Sequence, residues 1–182
     1  AAVWAPENTR EAIYDAIRRR EVYATSGSRI RLRFFAGWNF MKGDIERADY
    51  ARFGYRHGVP MGGDMPRRDG AKPPSFLIHA ARDPDSANLD RVQVVKGWRE
   101  AEGKTQEKIN DVAVSDGSKP GPDGKVKPVG STVDVKAASY SNSIGDPELA
   151  TWWSDPDFDA AQPAFYYVRV LEIPTPRWTT YD

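Results

Sequence analysis

REVYATSGSRIRLRFFAGW, residues 20–38, decides the fold. In its second half the period is two. Ile30, Leu32 and Phe34 point one way, and Arg29, Arg31 and Arg33 the other. That alternation marks a half-buried strand. Just before it, Thr25-Ser26-Gly27-Ser28 supplies a turn in which Gly27 is free to take positive φ. Upstream the pattern is helical. Ala12, Ile13, Ala16 and Ile17 form an apolar stripe, and Arg10, Glu11, Asp15, Arg18 and Arg19 lie largely off it. Asn8-Thr9-Arg10-Glu11 has the spacing of a capping box, and Arg18, Arg19 and Arg20 suit the negative end of the helix dipole. The chain therefore passes from one helix, residues 9–20, into a β-domain.

Downstream the strand signals are short and separated by turns. Residues 39–56 hold a short helix or an irregular loop, with a turn at Lys42-Gly43-Asp44. Residues 57–74 are rich in glycine and proline and read as loop, with a short edge strand at Val59-Pro60-Met61. SFLIHAA (75–81) is a compact buried strand. LDRVQVVKGW (89–98) is another, and QEKINDVAV (106–114) is its hairpin partner across Glu102-Gly103-Lys104. Residues 115–130 are the most loop-like, with a turn at Pro122-Asp123-Gly124-Lys125. Residues 132–140 alternate through Val133, Val135 and Ala137 and read as a strand. Residues 141–163 read as a long connection. AFYYVRVLEI (164–173) is aromatic and β-branched on both faces, which predicts a central strand with Ala164, Tyr166, Val168 and Val170 toward the core. Pro174 and Pro176 end it. Residues 177–181 make a short last strand. The expected class is mainly β: an N-terminal helix followed by an antiparallel β-sandwich with immunoglobulin-like layers. Residues 1–27 form the helix and turn, and residues 28–182 the sandwich.

With 182 residues, 40% of them hydrophobic and 29% charged, the chain suits one globular domain, or one domain plus a terminal element. Lys plus Arg equals Asp plus Glu at 26 each, so nothing in the charge balance argues for nucleic acid or an anionic membrane. The absence of cysteine removes disulfides, thiolate zinc sites and cysteine nucleophiles. No apolar run approaches membrane-spanning length.

Two long stretches carry a resemblance. AVWAPENTREAIYDAIRRREVYATSGSRIRLRFFAGW resembles the segment that closes the catalytic domain in the bacterial family called domain of unknown function 3604. NSIGDPELATWWSDPDFDAAQPAFYYVRVLEIPTPRWTTYD resembles the C-terminus of that family. The family is similar to the polymerase-and-histidinol-phosphatase (PHP) metallohydrolases, whose His-x-His and Asp-His motifs would lie upstream of residue 1. The resemblance implies the C-terminal portion of a longer hydrolase, with residues 1–27 closing an upstream catalytic barrel. It further implies a divalent metal in that upstream domain and none here. It makes that domain the partner of this chain, and it favours a periplasmic or secreted protein.

Few residues here suggest chemistry of their own. His57 lies in a glycine-proline loop and His79 in an apolar strand, neither near a second histidine, so no metal set is assigned. Asp155, Asp157 and Asp159 alternate like the start of a calcium loop, but Ala160 stands where the glycine belongs and Tyr166 where the bidentate Glu belongs. Solvated Asp-Pro turns are the expectation there. Ser26 lacks a Gly-x-Ser-x-Gly elbow, and no catalytic residue is assigned. The ligand-facing candidates are Thr25, Ser26 and Gly27, through their backbone N–H groups, together with Arg29; against an upstream barrel they would face an anion. Arg29, Arg31 and Arg33 more often form a solvated face or pair with carboxylates such as Glu172. Among the tryptophans, Trp152 and Trp153 are the expected exposed pair, and the others are expected to pack. The alternative function is a stand-alone binding module for carbohydrate or a protein partner. In such a module the helix stripe would be buried on the sandwich; in a fragment it would be left bare.

Overall fold

The structure of the protein is a computed structural model that describes residues 1–67, 72–118 and 125–180. In chain order its elements are β1 (Ala2–Val3), α1 (Arg10–Arg18), β2 (Val22–Tyr23), β3 (Arg31–Gly37), α2 (Tyr50–His57), β4 (Val59–Pro60), β5 (Ser75–Ala81), β6 (Leu89–Arg99), β7 (Thr105–Val114), β8 (Glu148–Ser154) and β9 (Ala164–Glu172). Short 3-10 turns lie at Lys42–Glu46 and Trp178–Thr180. One sheet runs β4-β3-β5-β8, a second β7-β6-β9, and β1 pairs with β2 as a small ribbon. All these pairings are antiparallel.

The two larger sheets pack face to face as a β-sandwich. The shared core contains Leu32 and Phe34 from β3, Phe76 and Ile78 from β5, and Val92 and Val94 from β6. The alternation seen in residues 29–34 is the reason: the apolar set points inward and Arg31 stays exposed. The opposite face of the four-stranded sheet is covered too. Phe35 and Leu77 lie beneath Phe40, Ile45 and α2, so β3 and β5 are buried on both faces. Residues 39–56, ambiguous in sequence, thus supply a 3-10 turn and α2.

The two sheets are joined unequally. On one side β7 and β8 come together, and Thr151 Oγ1 donates to the Val112 carbonyl at 3.2 Å. On the other side β9 and β3 stand apart and leave an opening. β9 is therefore an edge strand rather than the expected central one. From Tyr166 on its facing is as expected: Tyr166, Val168 and Val170 pack on the core, while Phe165 is 62% exposed and Arg169 is exposed; Ala164, expected inward, is exposed at the start of the strand. The outer aromatics that made β9 look doubly buried lie along the sheet instead. The Phe165 ring covers Gly97 of β6 and stacks on Tyr167.

Three other expectations need correction. Residues 132–140 form no strand; they make a turn closed by an Asp134–Ser139 bridge, because Asp134 Oδ1 accepts the N–H groups of Lys136 and Ala137. The long connection 141–163 contains β8, which pairs with β5 along its whole length. Trp178–Thr180 is a 3-10 turn instead of a strand. The turn expected at Pro122-Asp123-Gly124-Lys125 lies mostly outside the described residues, as does Tyr181. Just past that turn the chain is anchored: Val126 is buried, and its carbonyl accepts Arg91 Nη1 at 2.6 Å.

The N-terminal unit is tied to the sandwich by Trp4 and Tyr23, which pack against its core, and by polar contacts. Thr9 Oγ1 caps α1 by accepting the Ala12 N–H, so the cap lies one residue later than the capping-box spacing implies. Trp4 Nε1 donates to the Leu32 carbonyl at 2.7 Å, and the Arg33 guanidinium lies 3.2 Å from the centre of the Trp4 ring. Arg33 also donates to Tyr55 Oη at 2.8 Å, and Tyr55 in turn donates to buried Glu21.

Candidate functional site

The opening between β3 and β9 is a cleft of about 630 Å³. Its floor is apolar and comes from Ile30, Leu32, Phe34 and Met61. One wall is β9, where residues Tyr166, Tyr167, Val168, Arg169 and Val170 all line it. Successive residues of a strand point to opposite faces, so a wall made of five in a row is the backbone edge itself. A second hollow of about 540 Å³ shares Arg20, Phe34, Met61, Gly62 and Tyr166 with the first and continues toward Trp38 and Phe158. The two make one groove along the edge of β9.

The two strand edges facing this groove differ. The edge of β3 is occupied: Leu32 O accepts the Trp4 indole, Phe34 O accepts the Met61 N–H at 2.9 Å, and β4 pairs with Phe35 and Ala36. The outer edge of β9 has no backbone partner among the described residues. At its C-terminal end Glu172 Oε2 accepts Ser28 Oγ at 2.6 Å. Glu172 Oε1 is buried and has no hydrogen-bond partner among the described residues.

The four sequence candidates are divided by the fold. Thr25 and Ser26 line the cleft. Gly27, at φ +107°, turns the chain between them and Ser28. Arg29 is committed elsewhere. Its backbone N–H lies 2.7 Å from Asp83 Oδ2, its Nε 3.1 Å from the same oxygen, and its Nη2 2.8 Å from Asp85 Oδ2. The backbone and side-chain hydrogen bonds from Arg29 hold the Asp83 carboxyl below its ordinary pKa, and the bond to Asp83 raises that of Arg29. Glu172, expected to pair with an arginine, meets Ser28 instead.

The remaining chemistry-bearing residues are built into the frame. His79 pairs with Glu148 and stacks on Tyr50 at 4.9 Å between ring centres. His57 ends α2, not a loop, and its ring lies against Phe53. Trp153 stacks on Phe76 in the core, and Trp152 donates to the Phe40 carbonyl at 2.9 Å, so neither forms the exposed aromatic pair expected. Asp155 is no solvated turn. It is buried, and its Oδ2 accepts Lys96 Nζ and Tyr166 Oη, each at 2.7 Å. Among the described residues no three His, Asp or Glu side chains are placed to hold a metal ion. No histidine lines the groove. Its chemistry is that of a binding surface: an apolar floor, a backbone ladder and the Glu172 carboxylate at one end.

Sequence reasoning did not find this groove. It depends on which strand ends a sheet, and β9's own residues do not report that. One signal was visible: Lys96 falls in the inward phase of Val92 and Val94, which demands a buried counter-charge.

Over residues 1–182 the chain matches the family described as Protein of unknown function (DUF3604). The chain belongs to that family. No curated protein and no solved structure matches it. The DUF3604 match spans the ribbon, α1 and both sheets, so the groove lies wholly within the family's sequence.

Proposed function

We propose that this DUF3604 chain is the C-terminal accessory β-sandwich of a longer metal-dependent hydrolase of the PHP type, itself without catalytic activity. In this reading its partner is an upstream catalytic domain of the same protein, which supplies the divalent metal, and the protein works in the periplasm or outside the cell. Residues 1–27 close the upstream barrel, and residues 28–182 brace it.

The observation that supports this reading is the outer surface of α1. The helix buries only Ala12 and Ala16, against the ribbon side. Tyr14 stays 60% exposed, Ile17 52%, and Val22 of β2 38%. A helix of a self-sufficient module buries its apolar stripe on its own domain. Of the stripe itself Ala12 and Ala16 are buried and Ile13 is half-buried, so what is left for a neighbour is Ile17 with Tyr14 and Val22 beside it, while Trp4, Glu21, Arg33 and Tyr55 hold the unit on the sandwich.

The test compares this chain with the longer polypeptide, each loaded with zinc or manganese, on phosphate-ester and carboxylate-ester substrates. Hydrolysis by the longer protein alone is expected. Hydrolysis by this chain, or a stoichiometric metal site of sub-micromolar affinity in it, contradicts the proposal.

A further inference from the structure

We propose that the free edge of β9 binds an extended peptide segment of a partner protein. The segment adds as a fourth strand to β7-β6-β9. This goes beyond the accessory role and stands independently of any hydrolase.

Two features identify the ligand as a peptide backbone. β9 presents an unpaired edge from Tyr166 to Val170, and it lines the groove with consecutive residues. An edge of alternating N–H and C=O groups finds its full complement only in another strand. Natural edges are blunted by proline, bulges or clustered charge. Between Ala164 and Glu172 the strand has no proline and only two charged residues, Arg169 and Glu172. Its one register irregularity lies on the β6 side, between Leu89 and Arg91.

The groove also states what the peptide carries. A strand beside β9 places every second side chain over Ile30, Leu32, Phe34 and Met61. Those positions call for aliphatic residues. At its far end the groove is lined by Glu172, a partly exposed carboxylate, which calls for a lysine there. A second copy fits less well than a single strand. Val22, Tyr23, Thr25 and Ser26 line the groove together with β9, so the space beside β9 is bounded by this chain's own residues and suits one added strand rather than a second sheet.

The probe is the synthetic peptide acetyl-Lys-Val-Thr-Val-Thr-Val-Thr-amide, with two analogues N-methylated at one or the other alternate set of amides. The parent is expected to bind saturably in calorimetry and to slow amide exchange in β9. Methylating the set that faces β9 is expected to weaken binding at least about tenfold, and methylating the other set is not. Glu172→Gln is expected to weaken the parent more than an analogue with norleucine in place of lysine. Equal binding by both methylated analogues would show an apolar groove without strand addition and overturn the proposal. No binding at about 1 mM would overturn it as well. So would β9 amides that become protected, without peptide, as protein concentration rises, since a second copy would then hold the edge.

Discussion

Lys96 Nζ lies 2.7 Å from Asp155 Oδ2 inside the sandwich, with only 4% of the lysine side chain and 1% of the aspartate exposed. Lys96 comes from β6 and Asp155 from the end of β8, so the pair links the two sheets. Tyr166 Oη closes the cluster from β9, and the Asp157 carbonyl accepts a second hydrogen bond from Lys96 Nζ at 2.7 Å. Such a pair adds little net stability over an apolar replacement, but losing one partner strands a buried charge. Its evident work is to fix how the sheets meet, and so the width of the opening beside β9.

Asp155→Ala should therefore destabilise the fold by about 3–5 kcal/mol, because Lys96 loses its counter-charge. The double change Lys96→Met, Asp155→Leu should recover most of that. Urea denaturation measures both. A single mutant as stable as the double would mean the lysine escapes to water.

The same cluster sets a pH response. Burial pushes the Asp155 carboxyl up, but hydrogen bonds from Lys96, Tyr166 and the Asp157 N–H outweigh it and hold the carboxyl below its ordinary value. A depressed folded pKa gives stability that is present above the unfolded value, about 3.9, and is lost as pH falls through the folded one. Asp155→Asn should flatten this acid limb of the stability profile. An unchanged acid limb would remove Asp155 from it.

Arg91 anchors the far side of β6. Its guanidinium meets Asp90 at 2.7 Å, Asp111 at 3.3 Å and the Val126 carbonyl at 2.6 Å. Arg91→Ala leaves two buried carboxylates without their cation and should cost about 3–5 kcal/mol. It should also release the segment around Val126, so trypsin should cut after Lys127 sooner than in the parent. Unaltered cleavage there would show that Val126 is held by other contacts.

On β9, Val168 packs on the core and Arg169 faces out. Val168→Ala should cost about 1–2 kcal/mol, and Arg169→Ala no more than about 0.5 kcal/mol. A larger loss at Arg169, read by the same denaturation, would reverse the facing of the strand.

Much of this architecture is legible in particular residues. The switch of period at Ile30, Leu32 and Phe34 locates β3 and its buried face. SFLIHAA yields β5 with its observed bounds, and the turn at Glu102-Gly103-Lys104 yields the β6–β7 hairpin. β8 was hidden because ELATWWS lies between Gly145-Asp146-Pro147 and Asp155-Pro156, which read as turns, so the whole stretch reads as one long connection. The alternation at 133–137 misled because an Asx turn at Asp134 competes with pairing. The groove was illegible for a different reason. The Trp4 cap on β3 and the Lys96–Asp155 link join residues 28 and 59 positions apart, and the β6–β9 pairing that sets the strand order joins residues still further apart, so no local pattern encodes them.

The most direct measurement of the accessory role is hydroxyl-radical footprinting of Tyr14 and Ile17 on the surface of α1. It compares this chain with the longer polypeptide. The account predicts rapid oxidation of both side chains in this chain and strong protection in the longer protein, with Ile17→Asp abolishing that protection while the sandwich stays folded. Equal oxidation of Tyr14 and Ile17 in the two proteins would contradict it.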